Sequence, residues 1–79
     1  LLSFYYLARQ ALVRGKASDS HAHDDKEQVY YILEGNGLVL TDGDVHRIGE
    51  GDTIYLPKGV VHQIINDDYD GWLTYLVVS

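Results

Sequence analysis

The chain contains no cysteine, no methionine and a single proline, and only six of its 79 residues are lysine or arginine. Without cysteine there is no disulfide framework and no thiolate ligand, so any bound metal must be held by nitrogen and oxygen. With twelve acidic residues against the six basic ones, the formal net charge is −6, which repels a nucleic-acid backbone and argues against a nucleic-acid surface. Long hydrophobic runs are also missing. The apolar opening Leu1-Leu2-Ser3-Phe4-Tyr5-Tyr6-Leu7 is too short to span a bilayer and lacks the charged start of a secretory signal, so no membrane partner is expected. The lack of methionine places the translational start outside this sequence, and a cytoplasmic location is the default expectation.

What remains is an ordinary soluble-type composition, 46% hydrophobic, with aromatic and β-branched residues grouped between Gly and Asp punctuation. No segment repeats every three to four residues as a helix would. Strands are predicted over Ser3 to Val13, Ser18 to His23, Gln28 to Glu34, Gly37 to Thr41, Asp44 to Ile48, Thr53 to Leu56, Val60 to Asn66 and Trp72 to Val78. The first of these holds good helix formers at Leu7 to Leu12, but the β-rich continuation favours a strand. Asp42-Gly43 is a favoured type I′ turn pair and should fix a hairpin between the fourth and fifth runs. With no linker or repeat, residues 1–79 read as one all-β domain, an antiparallel barrel or jelly roll. So short a chain buries a small share of its surface, so a bound metal or a homodimer is expected to support it.

Two spaced motifs stand out. The first comprises Gly15, His21, His23, Gln28 and Gly35, and the second Gly51, Pro57, Gly59, His62 and Asn66. Together they resemble the paired motifs of the cupin superfamily, over about residues 15 to 66. The second matches that pattern at every fixed position, whereas the first carries Gln28 where the family usually has glutamate.

The resemblance implies a divalent metal held by His21, His23, Gln28 and His62, and such spacing is physically sensible because alternate residues of a strand share a face. Imidazole nitrogens and an amide oxygen suit zinc, nickel, manganese or iron alike. Glu27 is the alternative fourth ligand, but a shift of one residue turns a side chain to the opposite face unless a bulge intervenes. In many cupins an N-terminal strand joins the neighbouring subunit's sheet, and the first apolar run could do so here.

Alternation puts Tyr30 and Ile32 on the face of Gln28, and Ile64 on that of His62, while Tyr31 faces away. Tyr30 is thus the candidate for proton transfer, although a core Tyr bonded to a carbonyl fits the pattern equally well. His46 has no motif partner and reads as a surface residue. Asn66 reads as a turn-bonding residue, and Trp72 and Tyr75 as packing or interface residues. Asp24, Asp25 and Glu27, like Asp67, Asp68 and Asp70, read as solvated clusters. Two functions of different class follow. One is a metal-dependent enzyme acting on a small carbonyl-bearing or hydroxylated metabolite by isomerisation, elimination or oxygenation, with a set like that of cupins that open cyclic unsaturated uronate sugars. The other is a sugar- or metabolite-binding module without turnover.

Overall fold

The computed structural model describes residues 7–13, 15–18, 27–67 and 71–79. They form seven strands and, among the described residues, no helix: β1 Leu7–Leu12, β2 Gln28–Glu34, β3 Asn36–Thr41, β4 Asp44–Gly49, β5 Thr53–Leu56, β6 His62–Ile65 and β7 Leu73–Val78. Every strand pair is antiparallel. One sheet has the order β1-β7-β2-β5 and the other β4-β3-β6. The fold is therefore an all-β jelly-roll sandwich in which the expected alternation holds. Tyr30, Ile32, Leu56, Leu73, Tyr75 and Val77 of the larger sheet meet Val39, Ile48 and Ile64 of the smaller in a single core.

The connections explain the layering. β3 and β4 remain in one sheet because Asp42 and Gly43 both take positive φ, 49° and 83°, which is the type I′ turn expected of this pair. From β2 to β3 the chain instead crosses between sheets at Gly35. Its φ is +87°, and a Cβ there would run into the Trp72 carbonyl oxygen. Only glycine satisfies both demands.

Several strand bounds differ from the sequence expectation, most of them by one residue. β1 ends at Leu12 rather than at Val13, and residues 3–6 of the predicted run lie outside the described part. It pairs with β7 of its own chain, from Leu7 opposite Val78 to Leu12 opposite Leu73. Intramolecular pairing satisfies the β7 edge and lets Leu12 pack on the core. β6 starts at His62 rather than Val60 and stops before Asn66, which leaves the ladder: its backbone N–H donates to the Lys16 carbonyl at 2.9 Å, and its Nδ2 donates to the carbonyls of Leu12 and Gly71. Of the strand predicted over Ser18 to His23, only Ser18 falls among the described residues.

Candidate metal centre

The inner face of β2 presents Gln28, Tyr30 and Ile32, with exposures of 7, 4 and 0%. Tyr31 between them is turned outward. Gln28 stands opposite Leu56 of β5 in a regular register, so the backbone has no bulge there to swing Glu27 inward. Glu27 is exposed, and its Oε2 accepts a 2.6 Å hydrogen bond from the Tyr55 hydroxyl. Of the two neighbours weighed as fourth ligand, the one facing the core is Gln28.

Across the sandwich, the buried His62 lies on the inner face of β6, two residues before Ile64. Its Nδ1 is 3.1 Å from the carbonyl oxygen of Val60. A carbonyl can only accept, so in the neutral imidazole Nδ1 carries the proton and Nε2 the lone pair. Metal-binding histidines are commonly oriented in this way.

Tyr30 ties the two sheets together. Its ring meets that of His62 edge-on, with centroids 5.7 Å apart and planes at 80°, and leans on Tyr75 at 5.3 Å. Burial, and after it the neighbouring Tyr75, push the Tyr30 phenol well above the usual tyrosine range. At neutral pH the phenol is un-ionised and can donate a hydrogen bond. Tyr75 is a packing residue, as expected.

The donor set fits a cation in one specific respect. Gln28 Oε1 is the only buried side-chain polar atom among the described residues that lacks a hydrogen-bond partner. Leaving such an atom unsatisfied costs about 1–3 kcal/mol, which a cation drawing on that oxygen offsets. His21 and His23 lie outside the described residues, so the structure brings together Gln28, Tyr30 and His62 of the expected site. Among the described residues, no three His, Cys, Asp or Glu side chains group as a metal site, and the proposed set differs in using an amide and those two histidines.

Other expectations resolve simply. His46 is exposed on β4, and Asp67 pairs on the surface with Arg47 at 2.7 Å. Trp72 is exposed and Asn66 fully buried in its backbone contacts. Sequence reasoning missed Thr41, which stands directly opposite His62 and so shares its face. It also missed a hollow of about 190 Å³ beside His62, lined by Leu40, Thr41, Val45, Val61 and Gln63 among others. Both depend on strand register, and only the alignment of β3 with β6 discloses them.

The cupin domain family model matches residues 8–79, and the chain belongs to that family. It is 40% identical over 60 residues to an uncharacterised protein of Methanocaldococcus jannaschii, covering 76% of this chain and 48% of the relative. It is 34% identical over 59 residues to an oxalate-binding protein of Thermotoga maritima, covering 75% of this chain and 49% of that protein. The chain thus spans about half the length of these curated relatives. Among solved structures, a predicted oxalate decarboxylase from Thermotoga maritima superposes with a TM-score of 0.90 at 31% identity, over 95% of this chain and 64% of that one.

Proposed function

We propose that this cupin domain holds a divalent metal through His21, His23, Gln28 and His62 and uses it to bind a small carbonyl-bearing or hydroxylated metabolite. The observation that carries the reading is the buried, unpartnered Oε1 of Gln28. A bound ion supplies Lewis-acid polarisation of a ligand oxygen. All four protein donors are neutral, so they leave a cation's charge uncompensated and favour an anionic or strongly polar oxygen on the ligand. The oxalate named for the Thermotoga maritima relative is a small molecule of that kind.

Tyr30, a neutral phenol at neutral pH, donates a hydrogen bond to oxygen that gains negative charge and assists proton transfer there. Ile32 and Leu56 form an apolar wall that limits water. In an enzyme this arrangement supports isomerisation, elimination or oxygenation. The second reading, binding without turnover, is favoured by the name of that same oxalate-binding relative.

The test is metal content of protein purified without an affinity tag. Wild type should carry about one ion per chain, His62→Ala should lose most of it, and Gln28→Glu should keep it, since a carboxylate adds charge to the set. Full retention in a His21→Ala/His62→Ala double variant sinks the metal reading. A substrate screen then separates the two functions: Tyr30→Phe should lower turnover at unchanged metal content in an enzyme and leave affinity nearly intact in a binding module.

A further inference from the structure

The inner face of the smaller sheet is sealed at one end and open at the other. On β4, Asp44, His46 and Ile48 share a face, because they stand opposite Thr41, Val39 and Gly37 of β3, and Val39 belongs to the core. Ile48 is 4% exposed and closes its end of the sandwich, whereas Asp44 and His46 on the same side are exposed. β4 is an edge strand, so the face opens where those two residues stand.

The open end leads to His62. Thr41 pairs with His62 on one side and with Asp44 on the other, which sets the three in one row across β6, β3 and β4. Along that row the residues pass from buried at His62, through half-buried at Thr41, to exposed at Asp44. The row is polar throughout, while the next one, Ile64, Val39 and His46, is apolar until its last residue. Arg47, the basic neighbour on β4, belongs to the outer face and is engaged by Asp67, so it does not neutralise the Asp44 carboxylate.

We infer that Thr41 and Asp44 determine specificity: they receive the hydroxyl-bearing end of a ligand whose other end, a single carboxylate or carbonyl, is held beside His62. The inference rests on the metal reading above and narrows its ligand class. Two strand spacings, roughly 10 Å between backbones, separate His62 from Asp44. A compact dianion such as oxalate is too short to bridge them and, fully ionised, has no proton to donate to a carboxylate. A hydroxylated chain or ring of sugar size reaches across, and its hydroxyls donate to Asp44 and Thr41, both of which can accept.

The test is calorimetric titration of zinc-loaded wild type, Asp44→Ala, Asp44→Asn and Thr41→Val with gluconate, hexanoate and oxalate, once the zinc content of each protein has been measured. Gluconate and hexanoate share a carboxylate and a chain length and differ in their hydroxyls. Wild type should bind gluconate about tenfold more tightly than hexanoate, the gain expected of a hydrogen bond to a charged acceptor. Asp44→Ala should lose most of that preference, Asp44→Asn, which keeps an acceptor, should retain part of it, and Thr41→Val should weaken gluconate about fivefold. Oxalate, held at the ion alone, should bind wild type and Asp44→Ala alike to within about threefold. Because Asp44 is exposed, its replacement should leave fold and zinc content unchanged. A zinc-loaded wild type that binds gluconate no better than hexanoate overturns the inference and leaves the metal reading standing. So does an Asp44→Ala variant that keeps the preference, or that loses oxalate to the same extent as gluconate. A wild type that takes up no zinc overturns the metal reading and the inference with it.

Discussion

Gln28 is the residue at which the proposed metal site bears on stability. Its Oε1 is buried without a partner, a position where an apolar group of similar size would cost nothing to desolvate. Gln28→Leu should therefore raise the stability of the metal-free protein by about 1 kcal/mol while weakening metal binding. Denaturant unfolding in the presence of a chelator measures the first effect, and metal titration the second. A Gln28→Leu variant less stable than wild type would mean that the amide makes a structural bond, and the argument for an oxygen donor would fail with it. That Gln28 faces the core while Glu27 is exposed was legible from strand parity. What occupies Glu27 was not, because the Tyr55 hydroxyl that binds it comes from a strand far along the chain and meets it only once β5 pairs beside β2.

At the scale of elements, the turns carry much of the specification, and two glycines separate its physical sources. Gly35 and Gly43 both have positive φ, but a Cβ on Gly43 points into open space, whereas one on Gly35 meets the Trp72 carbonyl oxygen and the Leu73 Cα. Gly43→Ala should cost about 1 kcal/mol, the backbone penalty alone. For Gly35→Ala the overlap with a neighbouring strand's backbone adds to it, giving about 3 kcal/mol in all. Equal losses in urea denaturation would show that the sheet crossing at Gly35 relaxes freely. The runs that became β2 and β5 were readable to the residue, as was the Asp42-Gly43 turn, since each is bounded by turn chemistry acting locally. Strand order was not, because β7 sits between β1 and β2 through pairings that no local pattern encodes. The clipped end of β6 was hidden for the same reason: Asn66 is drawn off the ladder by carbonyls from three other segments.

Over the whole molecule, two neighbouring rows on the outer face of the larger sheet stand out as mostly uncharged in a strongly acidic chain. The pairings place Leu7, Val78, Val29 and Tyr55 in one row across four strands, with Arg9, Leu76, Tyr31 and Thr53 in the next. Leu7, Tyr31 and Tyr55 are 65, 42 and 58% exposed. An antiparallel sheet with one solvated face ordinarily alternates apolar with polar residues, and these rows do not. Two copies of a molecule with a formal charge of −6 repel each other least where charge is sparse and apolar side chains are exposed, so this face is where a second copy is expected to pack. The expected outcome is a homodimer by light scattering at micromolar concentration, tightened by added salt, which screens the remaining repulsion. Tyr31→Asp places a carboxylate in the middle of the face and should yield monomers that keep the wild-type circular dichroism spectrum, because Tyr31 contributes nothing to the inner core. If wild type is monomeric at high salt, or if Tyr31→Asp dimerises as wild type does, the apolar rows serve some other contact.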